Sequence, residues 1–235
     1  MLSSFPALDT NTPIWLQISA VAAWVSFILL ISAFVSRFVK PDPEVIRKIV
    51  HIGTGNVILL AWWLNIPASV GITASIIAST VTLLSYRFPI LPGINSVGRK
   101  SLGTFFYALS IGALVACFWH LQKPHFAALG ILIMAWGDGL AALIGQRFGK
   151  NKYVIFGAQK SWEGSLAMAL ASYIVCVLIF LGVQGNIWQT WVLSLAVAVF
   201  ATVLEAFSFL GIDNLTVSLG SAGLAFLLTQ LLVNG

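Results

Sequence analysis

Charge is what this sequence has least of. Only 8% of its 235 residues are Asp, Glu, Lys or Arg, where a water-soluble domain carries about a quarter. A chain this poor in charge cannot cover itself in water, so lipid is the expected solvent for most of it. Cysteine is scarce too. Cys117 and Cys176 sit inside apolar runs, without metal-ligand spacing. Also missing are a phosphate-binding G-x-x-x-x-G-K-[ST] loop, a G-x-G-x-x-G opening a βαβ unit, a Ser-His-Asp arrangement and a zinc signature. Any nucleotide must therefore be held by membrane helices and their short loops. There is no internal repeat, low-complexity tract or long linker, which leaves one integral membrane domain over residues 1–235. The first ten residues lack the basic region of a signal peptide and the Arg-rich character of a transit peptide, which points to direct insertion into a bacterial membrane.

What is there is apolar: 59% hydrophobic residues and a mean hydropathy of +0.98. Spanning a bilayer takes about 20 apolar residues. By that measure the fold class is an all-α, polytopic transmembrane helical bundle. About eight spanning helices are expected, near residues 14–36, 49–64, 66–86, 102–121, 125–145, 163–181, 187–209 and 216–233. Basic loops face the cytoplasm. Placing the N-terminus outside puts Arg37, Lys40, Arg47 and Lys48 in one cytoplasmic loop. Arg87, Arg99 and Lys100 fall in the next, and Arg147, Lys150, Lys152 and Lys160 in the third. Of the 12 Lys and Arg, only Lys123 then lies outside. The net charge of +5 is thus read as orientation and contact with anionic lipid, not as a nucleic-acid surface. Some of these cations are also available to phosphate. The longest connections, residues 87–101 and 146–162, are both cytoplasmic in this arrangement.

Acids in a membrane are costly and are functional candidates by default. Four of the 7 fall at one depth, near the cytoplasmic ends of successive elements: Asp138, Glu163, Glu205 and Asp213, the last in a turn beside Asn214. His51 lies at a similar depth, with Arg47 and Lys48 at helical spacing on its face. Carboxylates for a hard cation and cations for phosphate oxygens are the parts of a metal–phosphate site. Each acid alone has a plainer reading as a solvated helix end or ion-pair partner, and His51 alone as a satisfied structural histidine. Their shared depth argues against reading all of them that way.

Gly137, Ala141 and Gly145 form a stripe of small residues that admits a neighbouring helix. Packing explains the glycines but not Asp138 among them. Arg147 and Lys150 follow at the cytoplasmic exit. In Lys160-Ser161-Trp162-Glu163-Gly164-Ser165 a loop turns into a helix, with Ser161 as its N-cap. Glu163 suits the positive end of the helix dipole. Lys160 suits it only with an anion alongside, which favours phosphate binding there.

These segments resemble a known family, the membrane-bound CTP-dependent lipid kinases that include phytol, farnesol and dolichol kinases. The matching motifs are Arg47-Lys48-Ile49-Val50-His51-Ile52-Gly53, Gly137-Asp138-Gly139 with Gly145-Gln146-Arg147-Phe148-Gly149-Lys150, and Lys160 to Ser165. Glu205-Ala206-Phe207 with Gly211-Ile212-Asp213-Asn214-Leu215 is a further match, and Ser101-Leu102-Gly103-Thr104-Phe105-Phe106-Tyr107 resembles the phytol kinase branch. The resemblance covers about residues 47–219, and the small size is similar to cyanobacterial and plastid members. It implies phosphoryl transfer from CTP or UTP, with Mg2+, to the hydroxyl of an isoprenoid alcohol, phytol favoured, at a cytoplasmic active site. It implies Asp138 as the leading magnesium ligand, Glu163 or Glu205 as second ligand or base, and Asp213 or Asn214 for metal, ribose or base. Lys160, Arg147 and Lys150 would clamp phosphates at the helix that Ser161 caps, and Arg47 and His51 would orient the nucleotide or the alcohol. Two rivals remain at this stage: a cytidylyltransferase acting on a lipid phosphate, and a small ion-coupled transporter. Against the transporter, the acids gather at one face and not at the midplane.

Overall fold

Helix-starting residues punctuate the apolar runs. Asp42 accepts a hydrogen bond from the Glu44 N–H at 2.8 Å, with Pro43 in the first helical position, where its missing N–H and fixed φ do no harm. Pro67 and Pro124 open two more helices. Ser161 caps another, its Oγ accepting from Gly164 N at 3.1 Å. The computed structural model describes residues 12–86, 88, 102–208 and 210–233. Among these residues, eight helical spans are long and apolar enough to cross a membrane. In chain order they are Ile14–Phe38, Pro43–Trp63, Ala68–Ser85, Gly103–His120, Pro124–Phe148, Trp162–Gln184, Trp188–Ala206 and Asp213–Leu232. The protein is the polytopic helical bundle that its composition implies. The expected cation loop with Arg87, Arg99 and Lys100, and Ser101 of the fourth span's motif, lie outside the described residues.

Three boundaries differ from the sequence reading. The second span begins at Pro43, not near residue 49, because the Asp42 cap carries the helix through Glu44, Arg47 and Lys48. The eighth begins at Asp213, so Asp213 and Asn214 occupy the first turn of a helix and not a linking turn. The connection expected over 146–162 is mostly regular. The fifth span runs on to Phe148, and an antiparallel hairpin follows, β1 (Lys152–Ile155) with β2 (Ala158–Ser161). Ile155 pairs with Ala158, leaving Phe156 (φ 47°) and Gly157 (φ 77°) as a two-residue turn with both φ values positive. That is the type I′ geometry whose twist suits a hairpin.

The fifth span is the axis of the bundle. Ala127, Ala128, Leu129, Ile133, Met134 and Ala135 are wholly buried, and the span packs against the second, fourth, sixth and eighth. Its small-residue stripe meets the sixth span of the same chain. A Cβ on Gly137 would stand 2.5 Å from the Met168 sulfur, and one on Gly145 would stand 3.0 Å from Ser161 Oγ. Residues Ile133–Asp138 form a π-helical turn, a feature that recurs at functional sites. Opposite it the second span is also irregular: its two pieces, Pro43–Gly55 and Val57–Trp63, join at Asn56. Asn56 Oδ1 accepts from Trp136 Nε1 at 3.2 Å, and Asn56 Nδ2 donates to the Ile52 carbonyl at 2.8 Å. The amide thus stitches the two interruptions together where membrane backbone must find its partners inside the protein.

Outward faces are apolar stripes at helical spacing. On the sixth span Trp162, Leu166, Leu170, Ile174 and Leu178 are exposed, and on the seventh Leu195, Val199, Val203 and then Phe207 just beyond it. In a chain this poor in charge, these are lipid-facing surfaces.

Candidate active site

The second span supplies a row of charges one turn apart. Glu44, Lys48 and His51 follow one another at spacings of four and three, so they share a face. Glu44 is buried and pairs with Arg47, whose Nε donates to Glu44 Oε2 at 2.8 Å. Lys48 is only 1% exposed. Its Nζ forms an ion pair with Asp138 Oδ2, across 90 residues of sequence. His51 Nε2 stands 3.6 Å from the same carboxylate oxygen. Tyr107, from the fourth span, packs its ring on the His51 imidazole with centroids 4.2 Å apart. Its hydroxyl donates to the His51 carbonyl at 3.0 Å. His51 Nε2 itself is buried without a hydrogen-bond partner, which is uncommon enough in a folded protein to require a reason.

A second pair lies between the hairpin and the seventh span. Lys160, on β2, reaches Glu205 Oε1 at 2.5 Å and Ser208 Oγ at 3.1 Å, and also touches the Glu205 carbonyl oxygen. Ser208 Oγ donates to Asp213 Oδ2 at 3.2 Å, and Asp213 Oδ1 accepts from Asn214 N at 3.0 Å. The two pairs form one electrostatic unit. Asp213 feels Asp138, Lys48 and Lys160, Glu205 feels Asp138 and Asp213, and Arg47 acts on both Asp138 and Asp213.

The structure therefore brings together Arg47, His51, Asp138, Lys160, Glu205, Asp213 and Asn214. It does not bring in the rest. Glu163 turns to Asn151 at the start of the sixth span, accepting from its backbone N–H at 3.2 Å and its Nδ2 at 3.0 Å. Arg147 and Lys150 are exposed, the Arg147 guanidinium lying 5.4 Å from the Phe148 ring. Ser161 Oγ is engaged as the helix cap. Sequence reasoning placed Lys48 beside His51 without giving it a role of its own, and passed over Glu44, Tyr107 and Ser208 as site residues. Lys48 had a signal: a cation three residues before His51, the spacing that puts both on one face if the helix starts early.

Among the described residues no three Asp, Glu, His or Cys side chains converge into a metal cage. The donor set nevertheless suits a magnesium–nucleotide complex. Mg2+ takes one or two carboxylates together with substrate phosphates and water, not an all-protein cage. Asp213 supplies a carboxylate, and the adjacent Asn214 Oδ1 is a buried amide oxygen with no donor of its own. Such an oxygen suits a hard cation.

Comparison with known proteins places this geometry in company. Over 214 residues the chain is 51% identical to a phytol kinase of Synechocystis sp., an alignment covering 91% of this chain and 92% of that one. It is 32% identical over 209 residues to a chloroplastic farnesol kinase of Arabidopsis thaliana, covering 80% of this chain and 66% of the relative. It is 28% identical over 205 residues to phytol kinase 1 of the same plant, covering 77% and 65%. The chain thus spans about two thirds of the length of these plant relatives. No family model matches it, and no solved structure matches it.

Proposed function

This chain belongs to the phytol kinase branch of the polyprenol kinase family, and from that membership we propose that it moves the γ-phosphoryl group of CTP or UTP to the hydroxyl of an isoprenoid alcohol, phytol first among them. The observation that carries the reading is the buried cluster of Lys48, Asp138 and His51, in which the imidazole Nε2 has no partner of its own. Phosphoryl transfer asks for positioning and charge neutralisation more than for covalent chemistry from the protein, and this cluster offers both. His51 Nε2 takes the hydrogen bond of the alcohol's hydroxyl and aims its oxygen. Tyr107 fixes the ring from behind. Lys48, Arg47 and Lys160 lend positive charge to the phosphoryl oxygens, while Asp138 and Glu205 hold the two lysines in place between turnovers. Asp213, Asn214 Oδ1 and the carboxylates of Asp138 and Glu205 are the oxygens that would hold Mg2+. When bound, that ion neutralises charge on the nucleotide phosphates. The isoprenoid tail lies among the helices and presents its hydroxyl at the charged end of the bundle. That end faces the cytoplasm, because Lys123 is the one cation among the described residues that starts a span from the other side.

The test is a label experiment with purified protein, phytol and magnesium. Label reaching the lipid from γ-labelled but not α-labelled CTP is the expected result. Label from the α position would mean transfer of CMP instead. No label from CTP, UTP or ATP would sink the kinase reading for these substrates. A second expectation concerns Lys160. Lys160→Met removes one charge-assisted contact, worth about 1.5–3 kcal/mol. The KM for nucleotide should therefore rise roughly ten- to hundredfold, with a smaller change in kcat. Steady-state kinetics at varied nucleotide decides it, and an unchanged KM would remove Lys160 from the phosphate site.

A further inference from the structure

The hairpin has two unlike sides. One side is tied to the protein. The Tyr153 hydroxyl meets Ser165 Oγ at 2.6 Å, and Lys160 reaches Glu205. The other side is open: Val154 is 65% exposed with Gln159 paired opposite it and Lys152 at the base, and Phe156 at the turn is 73% exposed. The Phe156 ring lies 6.3 Å from that of Phe207, and Leu210, three residues further along the chain, is also exposed. A contiguous apolar patch of this kind marks an interaction surface.

We propose that this side of the hairpin docks on the bilayer's own interface, among lipid headgroups and the first carbons of their chains. Two observations favour lipid over a protein partner. The patch continues surfaces that already face lipid. The exposed stripe of the seventh span ends on Phe207, against the Phe156 ring, and that of the sixth ends on Trp162, where β2 ends, against the Tyr153 ring. Basic side chains also adjoin it, with Lys150 and Lys152 exposed at the hairpin's base, as suits an anionic leaflet. The turn adds an argument. Position 156 has a positive φ, which Asn or Gly adopts more easily than Phe. Phe occupies the turn at a local conformational cost while 73% exposed. Docking fixes the strand that carries Lys160, so bilayer contact and the placing of Lys160 are one event. That link to transfer rests on the function proposed above, whereas docking itself does not.

The test places a nitroxide at Val154→Cys in a Cys117→Ser background. Cys176 is fully buried and remains unlabelled. The protein is reconstituted in phosphatidylcholine vesicles with and without phosphatidylglycerol, and collisions with oxygen and with a water-soluble nickel chelate are compared. Docking predicts oxygen-favoured, interfacial accessibility that deepens with the anionic lipid. Adding Phe156→Asn, which suits the turn, should shift the label several-fold toward the chelate. In the otherwise native chain the same substitution should lower transfer to vesicle-borne alcohol several-fold. A label as open to the chelate as a soluble loop overturns the proposal, and so does one shielded from both probes with spin–spin broadening, which would mean a second copy covers the patch. Interfacial accessibility without any transfer activity would uphold docking and count against the kinase reading alone.

Discussion

Replacing Asp138 with Asn is expected to lower phosphoryl transfer at least about a hundredfold, the usual scale for removing a preorganised charge from a polar active site. Asn preserves size and one hydrogen-bond acceptor for Lys48, so the loss would track the charge and not the volume. The same substitution also removes the counter-charge of a lysine that is 1% exposed, so some loss of thermal stability should accompany it. Activity therefore has to be read well below the melting transition, on protein that remains monodisperse. Transfer within a few-fold of the parent would mean that Asp138 serves only to neutralise Lys48, and the centre of the proposed site would have to move.

The second large effect separates stability from chemistry. Lys48→Met leaves Asp138 buried without its partner and should destabilise the protein by about 3–5 kcal/mol, the cost of breaking a buried ion pair from one side. Combining it with Asp138→Asn replaces the pair by two uncharged groups, and most of that stability should return. Transfer should not return, because both charges have gone. Thermal or denaturant unfolding of the two single variants and the double gives the coupling between the residues. Additive effects would show that the ion pair contributes nothing to the fold. Recovery of activity along with stability would show that the pair has no part in transfer.

The sequence was legible where lipid alone decides. All eight spans appear as apolar runs, because only a helix can satisfy its own backbone in hydrocarbon. It was less legible where charge is buried in pairs. Glu44, Arg47 and Lys48 read as a cytoplasmic loop by their charge, yet they lie inside the second helix because Asp42 caps it and Glu44 and Asp138 neutralise its cations. The hairpin was missed for another reason. Its strands are four residues each, and its turn bears Phe where Asn or Asp would have announced it; Gly157 was the one available clue. Partners were beyond reach altogether. That Lys160 meets Glu205, 45 residues on, while Glu163 three residues away from Lys160 turns to Asn151, depends on how a strand enters a helix. Spacing does not encode that. Of the acids at that shared depth, Asp138 pairs with Lys48, Glu205 with Lys160 and Asp213 with Ser208, while Glu163 turns to Asn151.

The π turn at Ile133–Asp138 has a consequence for how this protein can change. A regular α-helix advances about 100° per residue, and a π turn takes in one residue more than an α turn. The fifth span is therefore two helical segments of different phase, spliced end to end. The upstream segment is keyed to the aromatic cluster around Phe126, with Phe118, Phe180 and Phe226. The downstream segment is keyed to Lys48, His51 and the sixth span. Losing the extra residue would rotate one segment against the other and turn Asp138 away from Lys48, with every apolar residue still apolar. Drift in the packing half can then proceed without disturbing the aim of the carboxylate, so long as the offset between the two is kept.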